Sequence, residues 1–399
     1  MSDSNENVKW FSLASIWFGG MVSVPSLLIG STLIAALSFQ FTLLAGLIGF
    51  GFVVLFMSFL SIASVEKRKN TVSLASSSFG TLGANIIVGL VIGISTLGWF
   101  GIQSNIAGAS FSKIILEMSG TDIPVWLSSA FWGLVMIVTA VFGFKYLKWL
   151  NYIAVPALTV LLIYGLMVTF QAHSFDEVLN FRPTQPMPLF QAIGFTIGFV
   201  AVGGVISPDY NRFAATKKDA VLGSIIGIIP SAICLLAVGA IFAITQNTYD
   251  IVEIFSSLGY PFFAMSTLIL ATWTTNVVNI YSSGLAFTNL IGFKESSRSK
   301  VTLVVGLVGI GLAIIGILTY FMGFITILTI AITPIAGVMI ADYFLSKTYS
   351  DNPQKLNWKG IVSWLSGVVL MLVMTSDIKN ILGIVVAAIC YVLLQKIVK

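Results

Sequence analysis

Long apolar stretches recur from one end of the chain to the other and are separated by short polar intervals. About 20 apolar residues allow a helix to cross a hydrocarbon core of roughly 30 Å. The pattern predicts twelve such helices, at approximately 12–38, 41–65, 84–112, 123–143, 149–171, 189–208, 219–245, 260–286, 300–320, 322–345, 357–374 and 379–396. The polar intervals are each under about 20 residues, too short for a soluble domain. We therefore expect an all-α membrane protein with a single membrane domain over residues 1–399.

The composition supports this prediction and adds an orientation. The chain is 57% hydrophobic and 9% charged, with a mean hydropathy of +1.00, whereas a soluble domain needs more charge to cover its surface. All of the 20 Lys and Arg residues except Lys113, Arg182 and Lys379 fall on the side of the N-terminus. Positive charge accumulates in cytoplasmic loops, so both termini are expected in the cytoplasm and the protein in the cell membrane. The basic pI of about 9.1 then reflects topology and does not indicate nucleic-acid binding.

Two of the predicted helices carry a glycine pair followed by a proline. They contain the segments WFGGMVSVPSLLIG (17–30) and GFVAVGGVISPDYNR (198–212). Transporters built from inverted repeats often have a helix broken at mid-membrane in each repeat. The spacing predicts a five-plus-five inverted repeat, with repeats at about 12–171 and 189–345 and two further helices at about 357–396. The alternative is that the glycines only permit close helix packing.

Ionisable residues are almost absent from the predicted spans. Asp209, Arg212 and Asp342 lie near span ends, where snorkelling or pairing is expected, and the only histidine, His173, lies in a loop. Without a carboxylate at mid-membrane there is no evident proton carrier or counter-ion. We therefore expect a neutral solute and, if transport is ion-coupled, a hard cation such as sodium held by oxygen atoms. No arrangement typical of an intramembrane enzyme is present.

The eighth span contains many hydrogen-bonding side chains. At 100° per residue, Thr272, Thr275, Asn276, Asn279 and Ser283 fall within about 100° of one another, as a polar stripe along one side of the helix. Such residues can bind neighbouring helices to each other. Five aligned polar groups exceed what that role usually requires, because each unmatched group costs free energy in a dry interior. The stripe is interpreted as a face lined by water or ligand.

The third span carries an aromatic side chain between two polar ones. Thr96, Trp99 and Gln103 have the spacing i, i+3 and i+7, so they share one helix face. An indole offers a plane for stacking, and an amide both donates and accepts hydrogen bonds. The combination favours a flat heterocycle as ligand. The alternative is that Trp99 is a core residue.

The chain resembles the nucleobase:cation symporter family, also called the purine/cytosine permease family, and most of all its cytosine permease branch. The resemblance is carried by LGWFG (97–101), PDYNRF (208–213), WTTN (273–276), IYSSGLAFTNLIG (280–292) and PIAGVMIADYF (334–344), in family order. It implies twelve helices, the inverted-repeat fold of sodium symporters, and inward, sodium-driven transport of a nucleobase or related ring.

The resemblance also implies a sodium site. Thr274 and Thr275 match the pair of sodium-binding hydroxyls of the family. Backbone carbonyls at Gly19 and Val22, in the broken first helix, would complete the site.

A substrate site is implied by the same comparison. Trp99 matches the stacking tryptophan of the family and Asn276 a substrate-side asparagine. Gln103, Asn276 and Asn279 would read the edge of the ring.

Several positions depart from the cytosine permease pattern. Thr96 stands where cytosine permeases have a glutamine, and Gln103 resembles the arrangement in hydantoin transporters of the family. The second stacking aromatic falls on Val200, with Phe199 beside it, and another substrate-side asparagine falls on Ala271. The substrate is therefore not fixed as cytosine.

These observations together predict a sodium-coupled importer, not an enzyme. Its expected substrate is a neutral nucleobase or related planar heterocycle of the cytosine, purine, hydantoin or hydroxymethylpyrimidine type. The alternatives are an amino-acid/sodium symporter of the same fold and a receptor or channel that does not concentrate its ligand. We expect a monomer in the lipid membrane, with Na⁺ as coupling ion and no nucleic-acid partner.

Overall fold

The protein is described by a computed structural model over residues 7–142, 147–257 and 261–397, and this part is almost entirely helical. The helices are α1 (Trp10–Met21), α2 (Val24–Ile34), α3 (Phe39–Lys67), α4 (Thr71–Phe79), α5 (Thr81–Ser119), α6 (Val125–Phe142), α7 (Leu147–Ala172), α8 (Phe175–Asn180), α9 (Leu189–Val205), α10 (Ser207–Asn211), α11 (Lys217–Thr245), α12 (Ile251–Ser256), α13 (Pro261–Ile291), α14 (Arg298–Ile314), α15 (Phe321–Ile340), α16 (Trp358–Val373) and α17 (Lys379–Ile397). A π-helical turn, Ala341–Leu345, continues α15. Helices dominate because a bilayer offers the backbone no other hydrogen-bond partners.

The helices account for the predicted spans. In the described residues, ten helices are long and apolar enough to cross a membrane, and α1 with α2 forms one more span that is bent by 58°. The shorter apolar helix α16 takes the place of the predicted eleventh span. The predicted boundaries at residues 143 and 260 lie outside the described residues. The division into repeats at 12–171 and 189–345 stays a prediction.

The first span is broken where the sequence predicted it. α1 ends at Met21, and α2 begins two residues after Val22, with Pro25 in its first turn. Ser23, between the two helices, has an extended backbone with φ −148° and ψ 159°. Proline lacks an amide hydrogen, so it fits a helix start and interrupts a helix interior.

The sixth span differs from its prediction. The helix is interrupted only at Ile206, and it remains one span without the sharp bend of the first. Gly203 and Gly204 lie inside α9, and a Cβ atom at Gly204 would come within 2.5 Å of the Phe56 ring. Gly204 therefore permits close packing against α3, which was the alternative explanation of the glycine pair.

The helices pack in two groups. α5, α6, α13 and α14 form one, which we call the four-helix group, and its most extensive interface joins α5 to α13. α1, α2, α3, α9 and α11 form the other, which we call the bundle. Within the bundle α2 and α11 approach so closely that a Cβ at Gly239 would meet the Leu27 carbonyl oxygen at 2.1 Å. α15 packs against α9 and α5, and so lies between the groups, with α16 and α17 behind it.

One buried asparagine, on α10, joins that helix to three helices of the bundle at the end nearest the N-terminus. Asn211 accepts a hydrogen bond from Trp17 Nε1 at 3.2 Å. Its amide nitrogen donates to Ser61 Oγ at 2.6 Å and to Ser224 Oγ at 3.0 Å. All four side chains are buried, so the cluster ties α10 to α1, α3 and α11.

We expect Asn211→Leu to destabilise the protein by about 2–3 kcal/mol, because the change removes three buried hydrogen bonds and leaves Trp17 Nε1 without its acceptor. The measurement is the thermal unfolding midpoint of the purified protein in detergent. Asn352→Leu, at an exposed position, is the matched control and is expected to leave the midpoint unchanged. Equal midpoints for the two variants would contradict a bracing role for Asn211.

Candidate functional site

The polar stripe of α13 faces α5. Thr275 Oγ1 donates to Gln103 Oε1, and Ser283 Oγ donates to the Gly93 carbonyl at 2.8 Å. Thr272 bonds to carbonyls of its own helix. That the stripe also faces water or ligand stays a prediction. The alternative, in which polar side chains join two helices, describes most of it.

The two predicted asparagines have different surroundings. Asn276 is fully buried, and its amide nitrogen donates to the Phe100 carbonyl at 3.0 Å and to Ser104 Oγ at 3.1 Å. Asn279 is half-buried and donates to Asn276 Oδ1 at 3.4 Å. Asn276 thus holds α13 against α5, whereas Asn279 keeps an accessible side.

Trp99 lies where α5, α9 and α15 meet. Its ring contacts Phe199 with centroids 5.6 Å apart and planes at 85°. It also contacts Phe321 at 6.0 Å and Phe324 at 5.4 Å, again nearly edge to face. The structure thus brings Phe199, and not the buried Val200, against the predicted stacking tryptophan. Such edge-to-face pairs are favourable for aromatic rings.

Sequence reasoning missed the two phenylalanines of α15. Phe321 and Phe324 have the spacing i, i+3, which could have identified them as one face, but nothing local connects them to Trp99. A Cβ atom at Gly98 would lie 2.2 Å from Phe324 Cε2, so a glycine is needed for this ring to reach its position. The contact links the region around Trp99 to α15.

Thr96, by contrast, bonds within its own helix. Its hydroxyl donates to the Ile92 carbonyl at 2.9 Å, with the Gly93 carbonyl at 3.3 Å, and its side chain is buried. It shares the helix face of Trp99 as predicted. Its hydroxyl retains lone pairs that could accept a hydrogen bond.

The predicted sodium ligands on α13 are grouped around one carbonyl oxygen. Thr274 Oγ1 lies 2.9 Å from the Ala271 carbonyl oxygen, and Thr275 Oγ1 lies 3.1 Å from it. Two hydroxyls and a carbonyl are neutral oxygen donors, the type that hard cations prefer. These residues fit a sodium ion chemically.

The other predicted sodium ligands lie at the break in the first span. Gly19 is in the last turn of α1, and Val22 follows that turn. Carbonyls at a helix end lack the usual partner, and the helix dipole makes that end negative. α2 contacts α13, but among the described residues no hydrogen bond joins Gly19 or Val22 to Thr274 or Thr275.

The carboxylates near span ends have local partners. Asp342 is buried in the π-helical turn and accepts hydrogen bonds from Ser78 Oγ at 3.0 Å, Thr348 Oγ1 at 2.7 Å and Tyr391 Oη at 2.9 Å. Asp209 accepts from the Thr71 amide at 2.8 Å. Asp342 is thus paired, as predicted for a carboxylate near a span end, and its partners are hydroxyl groups. None of these partners is a predicted site residue.

A cavity of about 560 Å³ lies away from the predicted site. It is between the α2–α3 turn and the segment before α9, on the side of the membrane domain opposite the N-terminus, and is lined by Leu37, Gln40, Arg182 and Met187 among others. It contains no predicted site residue. Around Trp99 the space is occupied by the three phenyl rings. The chemistry of the residues, and not the size of this cavity, identifies the candidate site.

Two comparisons with the sequences of known proteins indicate the same family. Residues 2–394 match the sequence profile described as permease for cytosine/purines, uracil, thiamine, allantoin. The cytosine permease of Escherichia coli (strain K12) is 29% identical over 374 residues, which cover 90% of this chain and 84% of that protein. The hydantoin permease of Microbacterium maritypicum is 25% identical over 429 residues, covering 98% and 86%.

A solved structure has the same fold. The inward-facing conformation of Mhp1 matches with a TM-score of 0.84 at 20% sequence identity, over 99% of this chain and 93% of that one. The family match covers nearly the whole sequence, and the helical fold agrees with the one that the resemblance implied. The chain therefore belongs to the nucleobase:cation symporter family of permeases for cytosine, purines and related compounds, and it is a membrane transporter and not an enzyme.

Proposed function

We propose that this protein is a secondary active, sodium-coupled importer of a neutral nucleobase or related planar heterocycle. The observation that carries the proposal is the hydrogen bond between Thr275 and Gln103. It joins the oxygen cluster on α13 to the helix that bears Trp99. The substrate class is cytosine, a purine, a hydantoin or a hydroxymethylpyrimidine, and transport proceeds by alternating access.

The ring would bind at Trp99. Trp99 supplies an aromatic plane, and its present phenyl neighbours, such as Phe199, occupy the positions that a stacked heterocycle would compete for. Gln103 and Asn279 would read the ring edge, with Thr96 on the same helix face as Trp99. Asn276 would act mainly by holding α13 in place, since its amide nitrogen is bonded to α5.

A neutral substrate fits the position of the charges. Asp342 is bonded to hydroxyl groups on α4 and α17 and in the loop after α15, and Asp209 to the start of α4. Within the described part of the chain, neither carboxylate is bonded to a residue of the proposed site. A charged solute would have no evident counter-ion there, and an uncompensated charge in a dry site is costly.

Sodium would be held by Thr274, Thr275 and the Ala271 carbonyl on α13, together with the carbonyls of Gly19 and Val22 on α1. Its contribution when bound is a positive charge that favours the approach of these oxygen atoms. Because α1 belongs to the bundle and α13 to the four-helix group, a shared site would favour one arrangement of the two groups. A ligand shifts a conformational equilibrium only by such a difference in affinity.

The protein would work as a monomer in the cell membrane, with both termini in the cytoplasm. The loop charges support this orientation, and α1 and α17 carry the termini of the described chain. Membrane lipid then surrounds its spans, and no nucleic-acid partner is proposed.

Uptake into proteoliposomes tests the function. We expect an inward sodium gradient to drive concentrative uptake of at least one radiolabelled ring among cytosine, uracil, hypoxanthine, allantoin and hydantoin. An equal potassium gradient should not drive it. Uptake of amino acids but of no ring would favour the amino-acid symporter, and equilibration without accumulation would favour a channel.

Replacing the stacking tryptophan should reduce substrate affinity. Stacking on an aromatic side chain contributes about 1–3 kcal/mol per base, so Trp99→Ala should weaken binding of the transported ring roughly 10- to 100-fold. Trp126→Ala, at a lipid-exposed position of α6, is the matched control. Binding is measured by the thermal shift of purified protein. Normal binding by Trp99→Ala would remove this residue from the site.

Removing one sodium ligand should change the sodium dependence of uptake. Thr274→Val keeps the shape of the side chain and removes an oxygen, so half-maximal uptake should require roughly tenfold more sodium, equivalent to about 1.4 kcal/mol. Thr159→Val, on the exposed side of α7, is the control, since its hydroxyl donates to the Val155 carbonyl of its own helix. An unchanged sodium requirement in Thr274→Val would be evidence against this cation site.

A further inference from the structure

We propose that Thr275 couples the two ligands by setting the orientation of the Gln103 side-chain amide. In this arrangement the amide NH₂ group of Gln103 points to the substrate, which selects a ring edge that carries a hydrogen-bond acceptor. The inference rests on the proposed function, because it requires a cation at Thr275 and a ring at Trp99.

The Thr275 hydroxyl has more acceptors in reach than it has protons. Its oxygen lies 3.1 Å from the Ala271 carbonyl oxygen and 3.2 Å from that of Thr272, and it is hydrogen-bonded to Gln103 Oε1. A hydroxyl carries one proton and two lone pairs. The proton can therefore serve only one of these acceptors at a time. The choice depends on what else the acceptors bind.

A cation among the α13 oxygens would limit that choice. The Ala271 carbonyl is shared by the hydroxyls of Thr274 and Thr275, so it is the centre of the oxygen cluster. When these oxygen atoms face a positive charge, a hydroxyl proton directed at the same point is repelled. The carbonyls of Ala271 and Thr272 each also accept a helical amide hydrogen, whereas Gln103 Oε1 has no other donor among the described residues. Gln103 Oε1 is therefore the acceptor that depends on the Thr275 proton.

The direction of this hydrogen bond fixes the polarity of the amide. With Oε1 accepting from Thr275, the two hydrogens of Gln103 Nε2 remain available as donors. Gln103 is only 3% exposed, so donors left without a partner would cost free energy. A carbonyl oxygen or an unprotonated ring nitrogen on the substrate would satisfy them. The reversed amide would instead present its oxygen and favour a substrate donor.

Coupling of this kind acts in both directions. If the cation determines the amide orientation and hence substrate affinity, changes to Gln103 must alter cation affinity by the same linkage. This consequence can be measured with sodium alone, without any substrate. The same measurement distinguishes two roles for Gln103. If Gln103 only contacted the substrate, changing it would leave sodium binding unchanged.

The first test titrates the thermal unfolding midpoint of purified protein with sodium chloride, with choline chloride keeping the ionic strength constant. Gln103→Met keeps the length of the side chain and removes the acceptor, and we expect roughly tenfold weaker sodium binding. Gln103→Glu keeps an acceptor for the Thr275 proton and should bind sodium at least as tightly as the wild type. Ser95→Ala, also on α5 and with a hydroxyl that donates to the Val91 carbonyl of its own helix, is the control and should bind sodium as the wild type does.

The outcomes separate the inference from the proposed function. If wild-type protein does not respond to sodium, the proposed cation site is wrong. If it responds and Gln103→Met binds sodium normally, the coupling is wrong and the proposed function stands. Should Gln103→Met fail to fold, Gln103→Glu decides the question, since a tenfold loss of sodium affinity in that variant would also overturn the coupling.

A second test addresses the polarity of the amide with cytosine and uracil as probes. Uracil has a carbonyl at the ring position where cytosine has an amino group. A carboxylate only accepts hydrogen bonds, so at saturating sodium Gln103→Glu should shift the affinity ratio at least tenfold toward cytosine relative to wild type. An unchanged ratio would overturn the proposed amide orientation. If neither ring binds to wild-type protein, cytosine is not the substrate, which then lies among the other rings of the proposed class, and the sodium titration still tests the coupling.

Discussion

A bilayer offers no hydrogen-bond partners to the groups buried in it, and this constraint decides where the polar atoms of the chain lie. Most hydroxyls in the spans bond to a carbonyl one turn earlier in their own helix, as those of Ser231 and Thr288 do. The break between α1 and α2 follows the same rule, since Ser26 Oγ and the Ser23 amide both bond to the Met21 carbonyl. The Met21 carbonyl at the interruption is thus satisfied from within the same segment.

The same constraint explains why α5 and α13 form a unit. The amide of Asn276 cannot be satisfied by its own helix, so it reaches the Phe100 carbonyl and Ser104 on α5. These bonds fix the facing register of the two helices. In that register Thr275 meets Gln103, one turn after Trp99 on α5. The proposed cation and substrate sites are therefore adjacent because polar groups in a dry interface had to find partners.

The fold also brings the pair α5 and α13 into contact with the bundle and with α15. Trp99 contacts Phe199 of the bundle and two rings of α15, so the region around it is shared by three elements. Glycines at close contacts, such as Gly98 beside Phe324, allow these rings to approach. A heterocycle stacked on Trp99 would have to displace at least one phenyl ring. The position of α15 and the occupancy of the proposed site are consequently linked.

Sequence by itself determined the order of the spans, the break in the first of them, and the family, because hydropathy, proline and short motifs act locally. The family resemblance placed the second stacking aromatic on Val200, whereas the residue in contact with Trp99 is the adjacent Phe199. Only the tertiary structure decided that the α13 stripe is an interface, that Gly204 packs against Phe56 without a sharp bend, and that Phe324 reaches Trp99. A polar stripe has the same periodicity whether it faces water or another helix, and a glycine permits both bending and close contact. The neighbouring helix resolves each choice, and its position depends on residues far away in the chain.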